Sequence, residues 1–302
     1  LKRYPTRTES GYAMTRIGEI LEILGADANR VTGVYQETVF RFGETPSSIV
    51  ARLRLLSQRM GGMRPKDLEK AVKDISEIAN KSDLPKMQQF ATVIISDGYN
   101  QRKEFDKSID LLVKFYQQNP TTVDTKLFEK RVIKNINDQL KSLIADNKYI
   151  DVLKIHNKYI DNWLKNTDRV DIKFEIGMAF EQLGAFKQAE KYYQESLNKI
   201  YALRGSKEGQ ELKILDQIPG EEVLNLRMAE VQNQLGQFSR AYENLKNIKN
   251  PESLSERDQI ERIQLAASLM DKRGETESAA RYLTELLKTW SGIPQLVADP
   301  YY

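Results

Sequence analysis

The feature that most constrains this chain is an apolar pattern of helical spacing that a single glycine interrupts. Between Ile176 and Leu197, apolar side chains recur three and four residues apart, stop at Gly184, and then resume at the same spacing. This spacing places the apolar side chains on one side of a helix. Glycine readily adopts the backbone of a tight turn. The segment therefore predicts two antiparallel helices that bury their apolar sides against each other.

The same pattern recurs in four further segments, while the alternating pattern of strands is scarce. The segments are Phe90–Pro120, Lys134–Tyr159, Glu222–Ile248 and Asp258–Leu287. The pattern is least complete in Lys134–Tyr159. Because each pair has one apolar side to bury, the repetition predicts an all-α chain of stacked helix pairs.

The segment Ile176–Leu197 resembles a tetratricopeptide repeat. The family places a small residue and an aromatic residue in the first helix, glycine at the turn, an aromatic residue after it, and alanine and another aromatic residue in the second helix. Those positions are filled here by Ile176-Gly177, Phe180, Gly184, Phe186, Ala189 and Tyr193. The small Gly177 and Ala189 indicate that two helix backbones approach closely there. The resemblance implies a right-handed superhelical α-solenoid with irregular repeats over residues 1–302.

The resemblance extends towards both ends of the chain. Tyr4-Pro5 is similar to the end of a preceding repeat, and Ile17-Gly18 lies in a following helix. Tyr35–Ser48 resembles the closing helix and exit turn of bacterial cell-envelope members, and Ala298–Tyr302 resembles the start of another helix. The chain is therefore expected to be a piece of a longer polypeptide.

The spacing of the repeats departs from the family period of 34 residues. The position after the turn glycine recurs at intervals of 44, 37, 52 and 38 residues. The longest interval contains residues 201–222, which we interpret either as a loop or as an extended second helix followed by a loop. A weak domain boundary is also predicted near residues 61–65, where Gly61-Gly62 precede Pro65; the alternative is an ordinary turn between helices. The residues in the position after the turn are Phe105, Tyr149, Phe186, Phe238 and Thr276.

The composition argues against several classes of function. The 46 Lys and Arg nearly balance the 43 Asp and Glu, so a nucleic-acid partner is not favoured. The basic residues from Arg52 to Lys73 are interrupted by acidic ones and are interpreted as a solvated helix face. Cysteine is absent, which excludes disulfides and thiolate chemistry. No apolar stretch is long enough to span a bilayer.

The sequence also gives no pattern typical of catalysis. The only histidine, His156, occupies the position that Tyr193 fills in the best-matched repeat, and we interpret it as a structural side chain between helices. Carboxylates lie among Lys and Arg on amphipathic helices, where they commonly form ion pairs. Gly205-Ser206-Lys207 lacks the strand and further glycine of a phosphate-binding loop. We therefore expect no enzymatic activity, no cofactor and no metal.

In this family the first helices of successive pairs line a concave groove that often binds a peptide or a partner helix. By position, the resemblance implies a groove lined from four first helices by residues of mixed polar character. The expected residues are Val93, Asp97, Asn100, Gln101, Phe174, Met178, Glu181, Gln182, Glu230, Asn233, Gln234, Ser268, Asp271 and Lys272.

The function expected from the fold is that of a non-catalytic scaffold or adaptor with a protein or peptide partner. The similarity of the exit turn at Arg41-Phe42 to cell-envelope proteins favours a bacterial envelope, pilus, flagellar or motility assembly, and hence the periplasm or envelope over the cytoplasm. The alternatives are a cytoplasmic adaptor that docks a small GTPase or a motor, and a non-catalytic part of a larger enzyme.

Overall fold

A computed structural model describes residues 8–81, 85–119, 124–165, 167, 169–207, 209–210 and 219–289, without the side chains of residues 85 and 285–289. The interpretations made above for Tyr4-Pro5, Pro120 and Ala298–Tyr302 lie outside the described residues.

The described residues form α-helices joined by turns, with one short 3-10 helix at Pro251–Ser253, and contain no strand. The all-α prediction is confirmed. The helices are α1 (Thr8–Ile23), α2 (Ala28–Phe42), α3 (Pro46–Met60), α4 (Pro65–Asn80), α5 (Pro85–Gln101), α6 (Phe105–Gln118), α7 (Thr125–Ala145), α8 (Tyr149–Tyr159), α9 (Val170–Gln182), α10 (Phe186–Leu203), α11 (Glu221–Gln234), α12 (Phe238–Lys246), α13 (Glu256–Lys272) and α14 (Thr276–Thr289).

The chain divides into two compact units, Leu1–Ser142 and Leu143–Tyr302. The division lies within α7, whereas residues 61–64 form the turn between α3 and α4, and Pro65 begins α4. Helices that follow one another in the chain pack together from α1 to α6 in the first unit and from α8 to α14 in the second. This stacking of helix pairs fits a tetratricopeptide-like helical repeat. A single right-handed superhelix over residues 1–302 remains a prediction.

Five turns between paired helices share one backbone geometry although their residues differ. At each turn a residue with positive φ stands two positions before the second helix. Glycine occupies that position in three turns, at Gly184, Gly236 and Gly274, with φ of 73° at Gly184. Lys103 and Asn147 adopt the same conformation, with φ of 61° and 58°, in the two remaining turns. In all five turns, the residue that the sequence assigned to the position after the turn is the first residue of the second helix: Phe105, Tyr149, Phe186, Phe238 and Thr276.

Gly177 lies at a close contact, as its small size predicts, but the contact is not between two backbones. A Cβ atom on Gly177 would lie 2.6 Å from Cε1 of Tyr193, whose side chain is fully buried in α10. The first unit repeats this arrangement, because a Cβ atom on Gly18 would overlap the ring of Tyr35. In both pairs the missing side chain leaves room for an aromatic ring from the following helix.

The longest interval between repeats begins with α10, which ends at Leu203. Gly220 is the N-cap of α11. Despite the length of the connection, α10 packs directly against α11. Residues 211–218, which fall in this interval, lie outside the described residues.

His156 is a buried structural side chain, as its position in the sequence predicts. It is 5% exposed, and its Nε2 lies 3.2 Å from the hydroxyl oxygen of Tyr192. The two rings meet edge to face, with centroids 5.7 Å apart. Burial lowers the pKa of the imidazole below its ordinary value of 6.5, because a charged ring would lose solvation there.

We expect His156 to make the free energy of unfolding fall with acidification. The folded state holds the imidazole neutral, whereas the unfolded chain binds a proton at higher pH, so the unfolded state binds more protons in this range. The contribution of His156 to stability is therefore present above about pH 6.5 and is lost as pH falls through the lowered pKa. Urea unfolding at pH 8 and pH 5 should show a smaller stability difference in His156→Gln than in the wild type. An equal difference in the two proteins would contradict this assignment.

Candidate functional site

An open groove of about 470 Å³ lies in the second unit, between the facing sides of α9, α11 and α13. These are the first helices of three successive pairs. The residues that line the groove are Glu181, Gln182, Phe186, Arg227, Glu230, Val231, Asn233, Gln234, Glu261, Gln264, Leu265 and Ser268. The volume lies within the range of about 300–1,000 Å³ that is common for ligand sites.

Helical spacing explains why each helix contributes several side chains to this groove. On α11, the groove residues Arg227, Glu230 and Gln234 follow one another at intervals of three and four. Such intervals keep side chains on one face of a helix. The buried Val231 and Leu265 also belong to core clusters, so the bottom of the groove is continuous with the apolar interior.

Arg227 is the centre of the charged network in the groove. Its guanidinium group lies 2.8 Å from the carboxylate of Glu230, 3.1 Å from that of Asp258 and 3.5 Å from that of Glu261. The side chains of all four residues are between 16% and 23% exposed. Because water is largely excluded, these interactions are stronger than ion pairs on an open surface.

The groove carries more negative than positive charge, and burial makes that charge costly. Burial raises the pKa of Glu230 from 4.5 to about 7, although Arg227 opposes the shift, and the neighbouring Glu181 and Glu261 raise the pKa further. Burial also raises the pKa of Glu181, which accepts a hydrogen bond from the hydroxyl of Tyr193. The groove can thus offer partly dehydrated carboxylates to a positively charged group.

Amide side chains complete the groove and add neutral hydrogen-bonding groups. Gln182 and Gln234 are exposed at its surface. The side chain of Asn233 accepts a hydrogen bond of 2.9 Å from Lys272, whose ammonium group also lies 4.5 Å from the ring centroid of Phe238. Amides both donate and accept, which suits them to bind the peptide backbone.

The structure brings together part of the residue set that the sequence predicted. Five of the eleven residues expected on α5, α9 and α11, together with Ser268 on α13, line this groove. Phe174 and Met178 instead pack against the core cluster around Tyr193. Asp271 is exposed and accepts a hydrogen bond from Thr276. The five residues are Glu181, Gln182, Glu230, Asn233 and Gln234.

The predicted groove residues of the first unit are largely engaged within that unit. Val93 is 8% exposed, so it does not lie on an open surface as expected, because α5 is packed on that side. The carboxylate of Asp97 lies 3.2 Å from the guanidinium of Arg131. Asn100 donates a hydrogen bond of 2.6 Å to Asp138. Gln101 is exposed at the end of α5.

Sequence reasoning missed several groove residues, among them Arg227, Glu261 and Gln264. The signal for them was present, since Arg227 lies three residues before Glu230, and Gln264 lies four before Ser268. Extending each predicted face by one turn towards the start of its helix would have found Arg227 and Gln264, and a second turn on α13 would have found Glu261. The pairing of Arg227 with residues of another helix, in contrast, follows only from the packing.

The described part of the chain contains neither a metal-binding cluster nor a membrane-spanning helix. No group of three or more His, Cys, Asp or Glu side chains there is arranged to hold a metal ion. Among the helices in that part, none has the length and apolarity needed to cross a membrane.

Among known proteins, distant structural similarity to this chain is found. No family model matches the chain, and no curated protein sequence matches it. Among solved structures, the crystal structure of NprR in complex with its cognate peptide NprX aligns with 95% of this chain and 81% of that chain, at 12% sequence identity and a TM-score of 0.37. A similarity this low does not transfer a fold or a function, so both must be argued from the helices and the groove described above.

Proposed function

We propose that this chain is a non-catalytic interaction module, and that its second unit binds a segment of a partner protein in the groove between α9, α11 and α13. The observation that carries the proposal is the groove itself, whose lining comes from three successive helix pairs. A groove built in this way follows the stacking direction of the pairs, which suits an extended segment.

The lining supports a peptide segment as the ligand. The half-buried Phe186 offers an aromatic side chain to the ligand, and the buried Val231 and Leu265 form the apolar layer beneath the groove. The amides of Gln182 and Gln234 can pair with peptide N–H and C=O groups. A few polar groups around an apolar surface are typical of sites that fix the orientation of a ligand.

The resemblance of Tyr35–Ser48 to bacterial cell-envelope repeat proteins supports a finer proposal. In this proposal the chain is a scaffold of a bacterial assembly of the envelope, pilus, flagellum or motility apparatus. Fractionation of cells that express the full-length gene product tests this setting, since recovery only in the soluble cytoplasmic fraction would contradict it.

Filling the groove should weaken peptide binding strongly. Ser268 is exposed on α13 and lines the groove, so the indole of Ser268→Trp would occupy the space of the ligand. We expect the wild-type chain to enrich a set of peptides from a random dodecapeptide library displayed on phage, and Ser268→Trp to bind the enriched peptides at least tenfold more weakly.

The matched control places the same bulky side chain outside the groove. Gln194 is exposed on α10 and is absent from the groove lining, so Gln194→Trp should bind the selected peptides like the wild type. A wild-type chain that enriches no peptide would refute the proposed function. Equal binding by Ser268→Trp and the wild type would place the peptide elsewhere.

A further inference from the structure

The balance of charge within the groove is opposite in sign to that of the whole chain. Three carboxylates line the groove, from Glu181, Glu230 and Glu261, against the single guanidinium of Arg227. Asp258 adds a fourth carboxylate next to Arg227. The chain as a whole carries a formal charge of +3. Non-specific attraction would therefore favour acidic ligands, whereas the groove disfavours them.

The three carboxylates come from three different helices and converge on one volume. Glu181 lies on α9, Glu230 on α11 and Glu261 on α13, and all three side chains line the groove. Tyr193 holds Glu181 by a hydrogen bond, Arg227 holds Glu230, and Glu261 pairs with both Arg227 and Arg257. The acidic groups are thus held in place before any ligand arrives, which lowers the cost of ordering them on binding.

Resting on the proposed function, we infer that the groove selects a partner segment that carries an arginine or lysine, whose cationic head lies among Glu181, Glu230 and Glu261. A guanidinium group has five N–H donors, and an ammonium group has three. Glu181, Glu230, Asp258 and Glu261 still outnumber Arg227 and Arg257, and either basic group would compensate this excess of carboxylates. The amides of Gln182 and Gln234 flank this position and are available to the backbone of the same segment.

Glu230 gives this recognition a dependence on pH. The charged and titratable groups around it are Glu181 of α9, Tyr193 of α10, Arg227 of α11, and Asp258 and Glu261 of α13. With a pKa of about 7, the carboxyl group of Glu230 is about half protonated in the free chain at neutral pH. A cationic ligand binds best to the ionised form, so affinity rises as pH increases from 6 to 8. The change is up to about tenfold, which is the change in the ionised fraction.

The decisive experiment compares peptides selected from the same phage library by three forms of the full chain. The first is the wild type, and the second is the groove variant Glu181→Gln/Glu230→Gln/Glu261→Gln. The third is a control that removes the same number of carboxyl groups at exposed positions, Glu243→Gln/Glu252→Gln/Glu277→Gln. Circular dichroism establishes that each variant keeps its helices.

We expect the wild type and the control to enrich arginine or lysine at one fixed peptide position at least fivefold over the library, and the groove variant to lose this preference. Enriched peptides without a basic preference would overturn the inference and leave the proposed function standing. The absence of any enriched peptide would refute the proposed function itself. A basic preference that the groove variant retains would also overturn the inference.

A second measurement keeps the inference testable if the triple groove variant does not fold. Fluorescence anisotropy follows binding of the peptide selected by the wild type, and of the same peptide with glutamine in place of its basic residue. The wild type should bind the basic peptide more tightly at pH 8 than at pH 6, and Glu230→Gln should lose most of that difference. An equal pH dependence for both peptides, or for both proteins, would overturn the inference.

Discussion

Replacing Gly177 by leucine is expected to lower the free energy of unfolding by about 1–3 kcal/mol, the range found when side chains are forced into well-packed interiors. A Cβ atom at this position would already lie 2.6 Å from the ring of Tyr193, and the ring is fully buried, so it has no free space into which to turn. The displaced ring would also move the hydroxyl that donates to Glu181. Urea unfolding followed by circular dichroism measures the loss of stability.

Gly33 provides a matched control for the same substitution. It lies inside α2, and a Cβ atom there would have no neighbour within 4 Å. Leucine has a higher helix propensity than glycine, so Gly33→Leu should raise stability by up to about 1 kcal/mol. Equal effects of the two substitutions would mean that Gly177 does not lie at a close contact.

Replacing Arg227 by methionine is expected to destabilise the second unit by about 2–4 kcal/mol at pH 8. Removing one partner of a buried ion pair commonly costs about 3–5 kcal/mol, and the partial exposure of these side chains reduces that figure. Methionine keeps much of the aliphatic stem, so the loss reports mainly the missing charge. Glu230, Asp258 and Glu261 would then face one another without their shared cation.

The loss of stability caused by Arg227→Met should become smaller as the pH falls, because the neighbouring carboxyl groups become protonated. The pKa of Glu230 is already raised in the folded state, and removing Arg227 raises it further. A folded state with raised carboxyl pKa values binds more protons than the unfolded chain, so stability falls as pH rises from about 4.5 to beyond 7. Urea unfolding should show a smaller deficit at pH 5 than at pH 8.

Arg257 serves as the control for Arg227. It lies 2.9 Å from the carboxylate of Glu261, but its side chain is 77% exposed. Exposed ion pairs contribute little, so Arg257→Met should change stability by less than about 1 kcal/mol at either pH. A deficit in Arg227→Met that is equally small, or that grows at low pH, would contradict the central role assigned to Arg227.

The starts of the second helices could be predicted from the sequence because they depend on local chemistry. An aromatic residue two positions after a turn glycine was enough to place the starts of α10 and α12 to the residue. The turns at Lys103 and Asn147 carry no glycine, yet their backbones have the same positive φ. These two turns are held by the same local hydrogen bonds as the glycine turns, because the N–H groups of Glu104 and Lys148 donate to the carbonyls of Tyr99 and Leu143, five residues earlier.

The candidate site was only partly predictable, because its chemistry depends on packing between helices that are distant in sequence. The repeat resemblance located Glu181 and Glu230 on inward faces, and both line the groove. The resemblance could not show that polar side chains of α5 already pair with Arg131 and Asp138 of α7. Nor could it show that one guanidinium group is shared among carboxylates from different helices, since this requires the relative positions of α11 and α13.

The hydrogen bond from Tyr193 to Glu181 has a consequence for how such chains diverge. Tyr193 is fully buried, so no ligand touches it, yet its hydroxyl fixes one of the acidic groups of the groove. Two relatives could therefore share every solvent-facing groove residue and still differ in the ligands they accept, because one has phenylalanine where the other has tyrosine. Comparing such proteins by surface residues alone would miss the difference, and inherited changes in specificity can arise within the hydrophobic interior.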